Sequence, residues 1–333
     1  MKSTDKNTAS HVATVTQTRI KHGVKALALT SLLGVAAFSS SVQATVQNAQ
    51  LSRPHAPCVD ANWPTSRLLT LASTAFELPD TERDAMAMRL FSCLAEADPE
   101  LRDSVAFSGL SQWLRASALK EETVNGLYTK LSKDVRERRN DPDGVYLPFA
   151  ILTLSEVARV DRVSPFLESS ERDALIKLAA DTMAGIQDYR GFDENLGWRH
   201  QVAHSADLLL QLILNPSLSP TSVVQLIESL QRQLSPTGHF YVYGEPERLA
   251  RPVLYAMLRD DIPEDFWQSQ LTTWTTPVHI DSWDKAFASN TGLAERHNRR
   301  AFFSALLFGV SGSKQPRLLA LQPAIQAAMK KLP

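Results

Sequence analysis

"VYLPFAILTLSEVARV", Val145–Val160, repeats its apolar residues at intervals of three and four and breaks them with Thr153, Ser155, Glu156 and Arg159. That spacing lays an apolar face along a helix, whereas a half-buried strand alternates at every second residue. "SRLLTLASTAF" (Ser66–Phe76), "RDAMAMRLFSCLAEA" (Arg83–Ala97), "LSQWLRASALK" (Leu110–Lys120) and "RDALIKLAADTMAGI" (Arg172–Ile186) read the same way. Between them stand stops rich in Pro, Asp, Ser and Gly, such as "ELPDTE", "EADPEL", "NDPDG", "VSPFLESSE", "NPSLSPTS" and "LSPTG". Thr81 with Asp84, and Ser170 with Asp173, resemble shortened capping boxes. Long β-branched runs are missing, so the expected fold is all-α.

"TERDA" at Thr81 returns as "SERDA" at Ser170, 89 residues later. That interval is about twice the 40–47 residue period of stacked helix pairs. Residues 63–333 therefore predict one HEAT/armadillo-like α-solenoid of helical hairpins. A closed α/α toroid has the same local pattern and is the alternative.

The first 44 residues differ from the rest. Arg19, Lys21 and Lys25 precede the apolar run Ala26–Phe38, and Val42 and Ala44 supply small residues for cleavage. Charge, apolar core and small-residue site, in that order, predict a signal peptide over 1–44 cleaved near Ala44, followed by an extended linker over 45–62. The apolar run is shorter than the roughly 20 residues a membrane span needs. The expected address is periplasmic or extracellular, with no integral membrane span in the mature chain.

Residues 1–44 hold five of the 35 basic and one of the 36 acidic residues, so their removal takes the net charge from −1 to −5. Such a chain is poorly suited to nucleic acid, where affinity rests on neutralising phosphates, and to an anionic membrane surface. Cys58 and Cys93 are the two cysteines, and an oxidising compartment predicts that they pair.

The chemistry-bearing stretch is "YRGFDENLGWRHQVAHSADLLLQL", Tyr189–Leu212. On a helix beginning near Trp198, His204 lies about 40° from His200, and Asp207 and Gln211 about 20° from it. A polar stripe on a helix otherwise apolar faces a pocket or buried partners. Three readings stay open. His200, His204 and Asp207 form a metal set for zinc or another divalent ion. His200 and His204 act in acid–base catalysis. Or the stripe is a structural polar seam. Gln201 stands where the zinc protease motif requires glutamate, so that motif is not met.

Two further clusters carry suitable groups. "HFYVYGEPERLARP" (His239–Pro252) holds Tyr243, Glu245, Glu247 and Arg248, and its carboxylates also suit a helix start. "ERHNRRAFFSALLFGV" (Glu295–Val310) holds His297, Asn298 and Arg300. Basic residues oppose the dipole at a helix start, so either that helix begins earlier, near Leu293, or its arginines have acidic partners.

Gly197-Trp198-x-His200-x-x-Ala203-His204-x-Ala206-Asp207, then Gly244-Glu245-x-Glu247-Arg248-Leu249, then His297-Asn298 resemble a bacterial family known as domain of unknown function 2785. Arg190-Gly191-Phe192 fits the same pattern, and the resemblance spans roughly Asp173–Leu307. Pro246 stands where an acidic residue is expected. The resemblance implies an all-α fold and no established activity.

Two functions follow as expectations, beside a third reading as a structural family member with no ligand. The first is an exported helical repeat whose concave polar cleft binds a protein, peptide or glycan, with Arg190, Trp198, Asp207, Tyr243, Glu247, Arg248, His297 and Asn298 as ligand-binding residues. The second is a metal-assisted hydrolase or acid/base lyase, with His200, His204 and Glu245 as catalytic groups and Arg248 or Arg300 on an anion.

Overall fold

The computed structural model describes residues 57–137 and 141–333. The expected leader, its cleavage near Ala44 and the linker up to residue 56 lie outside the described residues.

The chain folds as α1 (Thr65–Ser73), α2 (Asp80–Cys93), a π-helical segment (Glu100–Phe107) leading into α3 (Ser108–Arg115), α4 (Glu121–Arg136), α5 (Tyr146–Val163) and α6 (Ser169–Ala184). A hairpin of two-residue strands follows, β1 (Phe192–Asp193) and β2 (Gly197–Trp198). Then come α7 (Gln201–Ile213), α8 (Pro220–Ser229), a 3-10 turn (Gln231–Leu234), α9 (Glu245–Met257) and α10 (Glu264–Thr275). A second 3-10 turn (Trp283–Ala288), α11 (Asn290–Ser311) and α12 (Pro316–Met329) complete it. Among the described residues the protein is all-α apart from that hairpin.

Helices pack in two successions. α5 packs on α3, α4 and α7, α7 on α9, and α9 on α11; α4 packs on α6, and α6 on α8. The central α5 buries Phe149, Ile151, Leu154 and Val157, and its buried charges are paired. Glu156 accepts from Arg115 Nε at 2.8 Å, and Asp161 takes Arg172 Nε at 2.7 Å together with the backbone N–H groups of Phe166 and Leu167. An unpaired carboxylate there would cost several kcal/mol, so the pairing is what allows α5 to sit in the core.

Cys58 and Cys93 are joined as expected, both fully buried. Arg89 adds a second tie, donating to the Cys58 carbonyl at 3.2 Å and to Asp60 Oδ2 at 2.8 Å. Residues 57–62 are thus docked onto α2. No helix among the described residues is long and apolar enough to cross a membrane.

The helix starts differ from expectation. α2 begins at Asp80 and α6 at Ser169, so Thr81 and Ser170 lie inside their first turns. The box on α6 is instead Glu168 with Glu171, whose Oε2 accepts from the Glu168 N–H at 2.9 Å. The longer glutamate reaches back where Asp173 is too short and too far along. For α11 both expected remedies occur: it begins at Asn290, and Arg299 is paired with Glu295 at 2.9 Å.

Candidate functional site

α7 does not begin near Trp198. Trp198 ends β2, and His200 is the N-cap of α7 in the left-handed region, φ 51° and ψ 45°. Non-glycine residues seldom sit there, though histidine is among the more tolerant. The backbone fixes it: His200 N–H donates to Arg190 O at 3.2 Å, and His200 O accepts from His204 N–H at 3.1 Å. His200 therefore stands at the mouth of the helix and His204 one turn inside.

The hairpin, the His200 turn and the loop into α9 meet here. Trp198 stacks on His200 with centroids 5.0 Å apart, while Phe192 and Tyr243 meet Trp198 edge-on at 5.3 and 5.8 Å. Gly191 makes this possible: a Cβ there would stand 2.0 Å from the Tyr243 ring. All three aromatic rim residues keep solvent exposure, Trp198 at 40%.

Beneath the rim lie the titratable groups. Glu245, first residue of α9, is 1% exposed. Its Oε2 accepts from the Tyr243 N–H at 2.8 Å, and its Oε1 is 3.8 Å from His200 Nε2. His204 rests against Phe149 at 5.4 Å and His200 at 6.1 Å between ring centroids. Its Nδ1 is 3.9 Å from Asp207 Oδ2, beyond hydrogen-bond reach. Neither ring nitrogen of His204, nor His200 Nε2, has a hydrogen-bond partner in the protein. Asp207 turns instead to Arg248, and Gln211 accepts from Arg162 Nη2 at 3.2 Å.

Burial sets the charges. It pushes the His200 imidazole down to about 4, with His204 and the Arg248 guanidinium adding to the push. His204 is lowered mainly by burial, against the opposing pull of Asp207. Burial raises the Glu245 carboxyl, against the backbone N–H groups that favour its ionised form. The site thus combines two neutral imidazoles, a carboxyl that holds its proton to higher pH than usual, and a compensated ion pair.

The other expected residues surround this centre in supporting places. Asn298 Oδ1 accepts from the Tyr241 N–H at 2.9 Å and its Nδ2 donates to the His239 carbonyl at 2.8 Å. His297 Nε2 lies 3.2 Å from the Tyr241 carbonyl oxygen, with Phe240 against its ring. Both residues brace the strand of chain that delivers Tyr243 and Glu245. Arg190 is paired with Asp188 at 2.7 Å and donates to the Pro142 carbonyl. Glu247 is exposed in the first turn of α9, and Arg300 donates to the carbonyls of Leu332 and Pro333.

The metal set fares differently. Among the described residues no group of three or more His, Cys, Asp or Glu is arranged to hold a metal ion. His200, His204 and Asp207 are not such a group, because the His200 turn leaves the helical spacing and Asp207 is engaged by Arg248.

Two residues escaped the sequence reading. Arg102, in the π-helical segment, is fully buried and donates from Nη2 to the Leu196 carbonyl at 2.6 Å and from Nη1 to the Glu96 and Ala97 carbonyls at 3.2 Å each. It lies over the Phe149 ring at 4.8 Å. Phe149 in turn supports His204. A single arginine after "EADPEL" and a phenylalanine in an apolar run carry no local signal of this role.

A family model described as "Protein of unknown function (DUF2785)" matches residues 131–308, just over half of the chain. The match starts further toward the N-terminus than the motifs suggest and contains all three of them. Arg102 lies outside it. Among curated proteins and among solved structures no match is found. With the all-α fold, the converging motifs and this match, the chain belongs to the DUF2785 family, a family of unknown function.

Proposed function

We propose that this is an exported helical-repeat protein that binds a protein, peptide or glycan in a polar cleft at the start of α7 and α9. The repeat reading is supported by the succession of helix pairs, with no substantial packing of α1–α4 against α9–α12 among the described residues to close a ring. Export is supported by the leader pattern of residues 1–44 and by a disulfide, which persists in oxidising compartments.

One observation carries the binding reading. His204 is 8% exposed yet has no hydrogen-bond partner for either ring nitrogen, and its ring meets that of His200, on which the exposed Trp198 stacks. A buried polar group left unsatisfied costs roughly 1–3 kcal/mol, and such groups are retained where a ligand completes them. Thermal shift against separate peptide and oligosaccharide libraries tests this. At least one class raises the Tm of the wild type by a few degrees and leaves His204→Leu unmoved; equal shifts in both proteins remove the site from the account.

A second reading is acid–base chemistry, favoured by Glu245 and His200 facing each other at 3.8 Å, with burial raising the carboxyl and lowering the imidazole. Glu245 is the acid in this reading and His200 the base. Turnover of any bound ligand that survives in Glu245→Gln rejects it.

A further inference from the structure

The geometry points to a neutral saccharide as the ligand of this site, stacked on the Trp198–Tyr243 rim and hydrogen-bonded to His200, His204 and Glu245. This inference rests on the binding cleft proposed above and narrows its occupant to one class.

The first argument is charge. Asp207 and Arg248 neutralise one another, and both imidazoles are held uncharged. An anion entering here meets the Glu245 carboxyl, 3.8 Å from His200. A cation finds Glu245 already engaged by the Tyr243 N–H, and Arg248 close by. Neither sign is well compensated, so the arrangement suits a ligand without net charge.

The second argument is hydrogen bonding. A neutral imidazole offers one donor and one acceptor. Two such rings, with three unpartnered nitrogens between them that are enclosed beneath the rim, suit groups that donate and accept at once when the rim parts to admit them. Hydroxyls have that character, and adjacent ring hydroxyls present several in a fixed pattern. The rim supplies the complementary feature: aromatic rings with an apolar face for C–H groups and polar edges for the rest.

The third argument separates a saccharide from a peptide. Peptides are commonly taken by adding a strand to an open sheet edge or by laying a helix in an aliphatic groove. Among the described residues the only sheet is the two-residue hairpin. The exposed apolar groups here are Phe192, Trp198, Phe240, Val242 and Tyr243, all but Val242 aromatic and all on the hairpin or a loop. They form a platform rather than a helix-spaced groove.

The rim is anchored at its base. Arg102 fixes the hairpin through the Leu196 carbonyl, the close approach at Gly191 fixes Tyr243, and Asn298 fixes the chain at Tyr241.

The test uses the purified protein on three probe sets: an array of neutral oligosaccharides, an array of short peptides, and tetramethylammonium chloride by calorimetry. Trp198→Ala and Tyr243→Ala change the rim, and Phe308→Ala, on the highly exposed part of α11, serves as control. Circular dichroism confirms that each variant is folded. The expected result is binding to one or more neutral oligosaccharides, weakened about tenfold or more by either rim variant and unchanged in the control. Saccharide binding insensitive to both rim variants overturns the inference. Binding of peptides or of the quaternary ammonium alone, lost with the rim, also overturns it while leaving the cleft in place. No binding on any probe set overturns this inference and removes the peptide and neutral-glycan forms of the proposed function.

Discussion

Arg102 donates to the Leu196 carbonyl across 94 residues of sequence, joining the N-terminal helices to the hairpin that carries Trp198. Its guanidinium is fully buried, and its Nε is paired with Asp103 at 2.8 Å. Removing it leaves four carbonyl oxygens, those of Glu96, Ala97, Leu196 and Trp198, without this donor and the Asp103 carboxylate without its ion-pair partner. Arg102→Met is expected to lower unfolding stability by about 3 kcal/mol in urea denaturation. Arg102→Lys restores the charge without the planar fork and recovers only part of that loss. Unchanged stability in Arg102→Met contradicts the role given to it.

Asn298 holds two backbone groups at once, the Tyr241 N–H and the His239 carbonyl. Asn298→Ala is expected to cost about 2 kcal/mol, because both groups lose their partner. Hydrogen exchange at the Tyr241 amide reports the local opening directly. Exchange as slow as in the wild type shows that the segment is held by other contacts.

The pH dependence isolates His200. Its imidazole stays neutral in the folded protein down to about pH 4, against an ordinary value of 6.5. Between those values the unfolded chain binds more protons, so the stability associated with the neutral ring is complete above 6.5 and lost as pH falls toward 4. Asp103 works in the opposite sense, because burial raises its carboxyl to about 6 and the folded protein takes up that proton first. Comparison with His200→Asn, which keeps a residue suited to the left-handed turn, cancels what the two proteins share. The stability of His200→Asn relative to wild type is expected to rise by about 2 kcal/mol between about pH 7 and pH 4.5. Parallel stability curves show that His200 protonates as freely folded as unfolded.

The Cys58–Cys93 bond closes a separation of 35 residues. In the chain-entropy model this stabilises the fold by about 3–4 kcal/mol. Cys58→Ser, Cys93→Ser and the double variant are expected to lose similar amounts, since any of them opens the loop. Alkylation of both thiols in the unreduced, denatured protein contradicts the bond.

The helical class was legible because apolar spacing is a local property: "VYLPFAILTLSEVARV" specifies a helix before any partner is known, and α5 lies where that spacing puts it. The grouping of His200, His204 and Glu245 was likewise legible from residue types clustered in short motifs. What escaped depends on distant contacts or on backbone geometry. The left-handed turn at His200 is set by its bond to Arg190 and by the hairpin before it, so a helical wheel carried one turn too far. Glu168 outcompeted Ser170 for the start of α6 because a glutamate partner stood three residues on. Arg102 and Phe149 act on the site through contacts that no short window contains. Asn298 was visible as part of a motif, but its work on the Tyr241 segment was not.

The central claim is that His204 is kept unpaired for a ligand at the expense of stability. Unfolding free energy and ligand binding of His204→Leu, measured side by side, test it most directly. Leucine has a similar size, contacts Phe149 and brings no polar atom to bury. The account predicts a variant about 1–3 kcal/mol more stable than wild type that no longer binds the ligand identified for the wild type. A variant destabilised by more than about 1 kcal/mol with binding intact contradicts the account and makes His204 a structural residue.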